Sequence, residues 1–149
     1  MSLQDKVMND MKTAMKAKDK VALESLRAIK SALLLMQTET GSGEAISSEA
    51  EIQLVQKLVK QRKDSAAIFT AQNRQDLAAP ELAQIAIIEK FLPEQLSEEE
   101  VEKVIVKTIG DIGAQGMKDM GKVMGIVSAE LAGKADGKTI SSLVKKNLV

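Results

Sequence analysis

Apolar residues recur along this chain at every third or fourth position, the spacing that gathers them on one side of an α-helix. Leu3, Val7, Met11 and Met15 make the first such stripe. Asp19 is placed to cap a second helix, in which Ala22, Leu26, Ile29, Leu33 and Met36 form the stripe; Thr40-Gly41-Ser42-Gly43 then breaks the pattern. Ser48 with Glu51 has the spacing of a capping box, with Ile46 placed as its hydrophobic staple. The helix behind it carries Ile52, Val55, Val59, Ala66 and Phe69. Pro80 cannot sit deep inside a helix, so the next one is expected to start near it, to carry Leu82, Ile85, Ile88 and Leu92, and to stop at Pro93.

After a linker, Pro93-Glu94-Gln95-Leu96, the pair Ser97 and Glu100 repeats the capping-box spacing. Val101, Val104, Ile105 and Ile109 make the fifth helix amphipathic, and Gly110, Gly113 and Gly116 end it. A sixth is expected from Met117 to Leu131, with Met117, Met120, Met124 and Val127 on one side. Gly133 closes it, and Asp136 can cap a last helix containing Ile140, Leu143, Val144 and Leu148. The predicted fold is all-α, about seven helices: four in an N-terminal unit over residues 1–93, three in a smaller C-terminal unit over 94–149.

Composition agrees and narrows the chemistry. The only aromatic residues are Phe69 and Phe91, whereas strands favour aromatic and β-branched side chains. Cysteine and histidine are both absent, which removes thiolate nucleophiles, disulfides, the commonest general base and the commonest metal ligand. No EF-hand spacing is present, and no metal or cofactor is expected. The formal net charge is zero, so no whole-protein field draws nucleic acid or anionic lipid; binding of either would need a local patch. The Lys-rich, amphipathic N-terminus lacks the continuous apolar run of a signal peptide, and no stretch approaches a membrane span. A cytoplasmic location is expected, with neither membrane nor DNA as partner.

Three clusters carry candidate chemistry. Lys57, Lys60, Arg62 and Lys63 place four positive charges in seven residues. There Lys60 could pair with Asp64 one turn on, and Arg62 is expected to lay its stem on the core and meet a carboxylate. Gly133-Lys134-Ala135-Asp136-Gly137-Lys138-Thr139 ends like a phosphate-binding loop but has three residues between its glycines where that loop needs four. A reversal between two helices, allowed by Gly133 and Gly137, is the stronger reading. Ser142 and Lys145 have the spacing of a serine–lysine dyad without its accompanying motifs, and read as a solvated helix face. The methionines 36, 117, 120 and 124 read as core filler.

The segment Gln56-Lys57-Leu58-Val59-Lys60-Gln61-Arg62-Lys63-Asp64-Ser65 resembles the central signature of the YqeY-like family. So do Arg74-Gln75-Asp76-Leu77-Ala78, Phe91-Leu92-Pro93 with Leu96-Ser97-Glu98-Glu99-Glu100, Met120-Gly121-Lys122-Val123-Met124-Gly125 and Gly133-Lys134-Ala135-Asp136-Gly137-Lys138. That family is similar to the tail domain of the B subunit of glutamine-dependent aspartyl/glutamyl-tRNA amidotransferase. The resemblance implies a module that contacts the tRNA elbow, or that partners amidotransferase or aminoacyl-tRNA synthetase subunits. It also implies an alternative, a component of a carbon–nitrogen ligase with glutamine as amide donor. The residues that do that chemistry belong to other parts of the resembling enzyme, so a non-catalytic accessory module is the preferred reading. Lys122 and Lys134 lie in the segments of closest likeness; with Lys138 and Lys145 they are the candidate nucleic-acid contacts, and the Lys57–Lys63 cluster is a secondary basic patch.

Overall fold

A helix begins with N–H groups that have no partner within it, and the first helix here meets its own with two carboxylates and a hydroxyl. In the computed structural model, which describes residues 2–41 and 45–149, α1 spans Leu3–Ala17. The Ser2 hydroxyl accepts from the Asp5 N–H at 3.2 Å, and the Asp5 carboxylate accepts the Ser2 N–H at 3.2 Å. From far along the chain Glu51 accepts the Leu3 N–H at 2.7 Å. Negative charge at this end also suits the helix dipole.

α1 ends on Lys18, which has a left-handed φ of 56°. Asp19 N–H donates to the Ala14 carbonyl at 2.9 Å and Lys18 N–H to that of Met15 at 3.2 Å, the bond pair of a Schellman turn. Asp19 at once caps α2 (Lys20–Thr40), accepting from the Ala22 N–H at 3.1 Å. Of the expected break after α2, Ser42 and Gly43 lie outside the described residues.

α3 (Ser48–Ala71) is capped by Ser47 and not by Ser48. That shift puts Ala50 at the third helical position, whose N–H meets the Ser47 hydroxyl at 3.1 Å. Glu51 then falls one place too late to close a box, and its carboxylate serves α1 instead. Asn73, at φ 59°, ends α3 in a second Schellman turn, Arg74 N–H to Phe69 carbonyl at 2.8 Å and Asn73 N–H to Thr70 carbonyl at 3.0 Å. α4 (Gln75–Ile88) starts five residues before Pro80, not at it. Arg74 holds Asp76 in the first turn by a two-pronged contact of 3.0 and 2.9 Å. Pro80 stands in the second turn, where it forfeits one intrahelical N–H bond without breaking the helix. A 3-10 turn, Glu89–Phe91, follows, and Leu92 is extended, as the residue before a proline prefers.

The chain forms two compact units that meet in sequence between Leu92 and Pro93. In the first unit α3 packs on α4, α1 on α2, and α2 on α4. Val7, Leu26, Ile29, Val55 and Ile88 are the largest of its fully buried apolar side chains, with Met11, Met36, Phe91 and Leu92 packed at the margin. Two members of the expected stripes are outside it. Met15 is 60% exposed and Ala14 is buried in its place, because steps of four overrun the 3.6-residue turn, by roughly 120° between Leu3 and Met15. Leu82 is 54% exposed, about 120° round α4 from Ile88, and Ala78 is buried instead.

In the second unit α5 (Glu98–Ile112) opens with the capping box expected of it: the Glu100 N–H donates to the Ser97 hydroxyl and the Ser97 N–H donates to the Glu100 carboxylate, both at 3.2 Å. It runs through Gly110 and ends on Gly113 at φ 66°. The sixth helix is shorter than expected. Met117–Asp119 forms a 3-10 turn and only Met120–Glu130 is α-helical, α6. Asp119 turns its carboxylate back to the Gln115 N–H at 3.0 Å, and Met117 is left 44% exposed outside the core. α7 (Gly137–Leu148) is capped by Asp136, which accepts the Thr139 N–H at 2.7 Å. Val101, Ile105, Val123, Val127 and Val144 centre the core that the three helices share, with Met120 and Met124 at its edge. Among the described residues the fold is all-α, seven α-helices and no strand. The two buried hydroxyls, Ser25 and Thr108, donate to the carbonyls of Val21 and Val104 one turn back.

Two outcomes follow from the caps. Ser97→Ala should destabilise the second unit by about 1 kcal/mol, read from the denaturant midpoint. The Ser2 hydroxyl and N–H hold the Asp5 carboxyl below its usual range. A depressed folded pKa gives stability that is present above the unfolded value and lost as pH falls through the folded one. Protection of the Leu3–Lys6 amides, measured against their intrinsic exchange rates, should therefore fall in acid below the ordinary carboxylate range, and Asp5→Asn should remove that dependence.

Candidate functional site

The turn between α6 and α7 is held by several backbone and side-chain bonds. Leu131 accepts both the Lys134 N–H at 2.9 Å and the Ala135 N–H at 3.3 Å, and Gly133 is left-handed at φ 79° and buried. The linker lies against it: Gln95 Nε2 donates to the Gly133 carbonyl at 2.7 Å and to the Pro93 carbonyl at 2.8 Å. Leu96 N–H donates to the Lys134 carbonyl at 2.9 Å while its side chain packs on the core. The turn's carbonyls thus face the linker, and the Lys134 side chain stays exposed. Gly137 is the first residue of α7 and needs no special conformation, so Gly133 alone makes the reversal, contrary to the expectation of two.

The four candidate lysines are all exposed, and among the described residues none of them forms an ion pair. Lys134 and Lys138 flank the capping Asp136 at the start of α7. Lys138 and Lys145, seven residues apart, share one face of that helix at a separation of about 10 Å along its axis. Lys122 stands in the first turn of α6, roughly 12 Å by helical rise from that helix's end, so it is not clustered with Lys134. Lys146 is held differently, 3.6 Å from Glu102, which also accepts from Asn147 Nδ2 at 3.2 Å and ties α7 to α5. Charge is therefore presented along α7 and at its N-terminus.

The Lys57–Lys63 cluster is split. Arg62 is half-buried, with Nε on Gln84 Oε1 at 2.9 Å and a terminal nitrogen on the Leu58 carbonyl at 3.1 Å. It meets a carboxamide where a carboxylate was expected, because the α3–α4 hairpin sets Gln84 opposite it. Lys63 lies 3.5 Å from Glu89 in the 3-10 turn. Both side chains fasten the hairpin. Lys57 and Lys60 remain exposed, and the Lys60–Asp64 pair is not among the ion pairs formed. Ser142 and Lys145 are exposed on the outside of α7. Among the described residues no cluster of three or more acids could hold a metal ion, and no helix is long and apolar enough to cross a membrane. Gln95, Glu51 and Glu102 carry no local signal in the sequence, since each acts on a residue at least 38 positions away.

Comparison with known proteins adds two kinds of likeness. Residues 4–148 match the family described as Yqey-like protein. "Altered inheritance of mitochondria protein 41, mitochondrial" of Pyrenophora tritici-repentis is 26% identical over 141 residues, 92% of this chain and 76% of that protein. The E subunit of glutamyl-tRNA(Gln) amidotransferase from Thermococcus gammatolerans is 46% identical over 57 residues, 36% of this chain but 9% of that protein. Its counterpart from Thermococcus sibiricus is 38% identical over 73 residues, 46% of this chain and 12% of that protein. The chain thus matches about a tenth of the length of these amidotransferase proteins.

The linker latch has a direct test. Gln95→Ala leaves the buried Gly133 carbonyl without its donor and should cost about 1–2 kcal/mol, read from chemical denaturation. Hydrogen exchange should rise at the Leu96 amide more than in the middle of α5.

Proposed function

The chain belongs to the YqeY-like family, and on that premise we propose that it is a non-catalytic helical accessory module that binds tRNA. Lys122, Lys134, Lys138 and Lys145 carry the binding, and the Lys57–Lys63 patch is secondary. The observation that supports this reading best is electrostatic. In a chain of zero net charge, four lysines of the second unit stand exposed without ion pairs, two of them beside the α7 N-terminus. The likeness to a segment of a glutamyl-tRNA(Gln) amidotransferase supplies the class of ligand, and the tRNA elbow is the part of it that the family resemblance implies. With two phenylalanines and no tryptophan or tyrosine there is no stacking platform for bases, so phosphate contacts dominate and affinity is modest. Lys57 and Lys60 are the members of the secondary patch left available once Arg62 and Lys63 fasten the hairpin.

The same likeness favours a second reading, that the module joins amidotransferase subunits in a glutamine-dependent carbon–nitrogen ligase. On either reading the chemistry lies elsewhere: glutamine hydrolysis needs an activated nucleophile, and Ser142 with Lys145 has no orienting partner and stands in solvent. Purified chain should therefore release no ammonia from glutamine, alone or with tRNA, and Ser142→Ala should behave as wild type in that assay.

For tRNA, titration of labelled tRNA at several salt concentrations should give a log Kd that rises linearly with log salt. Lys122→Ala/Lys134→Ala/Lys138→Ala should lower that slope by roughly 0.7–0.9 per lysine removed. Equal binding by both proteins removes this site, and absence of wild-type binding at low salt removes the tRNA reading.

A further inference from the structure

We propose that the tip of the α1–α2 hairpin docks on an anionic membrane surface. Residues 11–23 contain four lysines, Lys12, Lys16, Lys18 and Lys20, against one acid. That acid, Asp19, accepts the Ala22 N–H as the cap of α2 and also carries the bond from its own N–H to Ala14. All four lysines are exposed, and none is in an ion pair among the described residues. The nearest acids on the two helices, Asp10 and Glu24, make no bridge to them. Since only Lys18 and Asp19 separate α1 from α2, Lys16, Lys18 and Lys20 converge at one end of the hairpin.

Two further observations choose among anionic partners. Among these cations the apolar side chains of Met15 and Val21 stand 60% and 40% exposed, and Met8, which shares the Met15 face seven residues back, is 38% exposed. Lysines flanking exposed aliphatic side chains match a surface of anionic headgroups above acyl chains. A nucleic acid backbone gains nothing from thioether or valine side chains, and no aromatic ring stands here to stack on a base. In addition, Lys18 occupies a left-handed position where glycine is favoured, so a cation is held at the apex against the backbone's preference. The proposal concerns the first unit and is independent of the tRNA reading, which rests on lysines of the second. It departs from the sequence expectation of no membrane partner, through a local patch in a chain with no net field.

The test is co-sedimentation of the full chain with vesicles of phosphatidylcholine alone and of phosphatidylcholine with phosphatidylglycerol in equal parts. Binding should require phosphatidylglycerol and vanish in high salt. Each lysine removed should weaken it roughly fivefold, so Lys16→Glu/Lys18→Glu/Lys20→Glu should abolish it. Met15→Ser should weaken it severalfold with charge unchanged. Lys18→Gly guards against misfolding: it should hold or raise the melting temperature while lowering vesicle binding. No binding to the anionic vesicles overturns the proposal, as does binding that survives charge reversal. Loss of tRNA affinity in the charge-reversal variant without any vesicle binding would make the patch a nucleic-acid contact and overturn it equally.

Discussion

The need to satisfy the first N–H groups of each helix shapes this molecule more than any other single constraint. Among the described residues, five of the seven α-helices start on a side-chain oxygen, from Ser2, Asp19, Ser47, Ser97 and Asp136. The connections are so short that caps and stops coincide: Asp19 closes the Schellman turn of α1 and opens α2 in the same residue. With few aromatic side chains to add packing area, both cores rest on leucine, isoleucine and valine, and the helix ends must be set well for those stripes to meet. Glu51 extends the same logic between elements, fastening the start of α1 from the first turn of α3.

This arrangement has an electrostatic consequence that residue counting hides. The chain has as many acids as bases, yet its acids are occupied unevenly. Asp5, Asp19, Glu51, Glu100 and Asp136 serve helix starts, and Asp119 holds the loop before α6. A carboxylate engaged with backbone N–H groups is held where the helix end needs it, which limits its reach towards a neighbouring lysine. Exposed lysines without an ion pair therefore include Lys138 and Lys145 on α7 and Lys16, Lys18 and Lys20 at the α1–α2 tip, among the described residues. Neutrality of the whole coexists with local positive potential, and it is the local potential that a phosphate meets within a Debye length of about 10 Å.

Much of this was legible in the sequence, because capping and amphipathic period are local. The seven helices, the Ser97–Glu100 box and the Asp19 and Asp136 caps all follow from residues within four positions of one another. The misreadings share a different cause, competition from something distant or cumulative. Met15 and Leu82 leave their stripes because a turn of 3.6 residues drifts against repeated steps of four in α1 and of three in α4. Ser48 loses the capping role to Ser47, and Glu51 is claimed by Leu3, a contact across 48 residues. Arg62 finds Gln84 instead of a carboxylate because the hairpin, whose register depends on Asn73, decides what stands opposite. The candidate site was legible only as a set of lysines. That the α6–α7 turn is pinned by Gln95 and Leu96 could not be read, since nothing local marks a glutamine as a latch.

That latch bears on how such a module can be reused. The residues from Pro93 onward form a compact unit of their own, and the last two linker residues belong to it through the bonds of Gln95 and Leu96 to the Gly133 and Lys134 carbonyls. A unit of this size buries a limited core, so its closing contacts weigh heavily in its stability. Here they are bonds from the linker itself to the turn's backbone, independent of anything the first unit supplies. A three-helix unit that carries its own strap can be joined to a different neighbour without losing the geometry of its turn. The amidotransferase proteins are matched over only about a tenth of their own length. Within the second unit the Lys134–Lys138 turn is held in one shape by the left-handed Gly133 and by the bonds from Gln95 and Leu96.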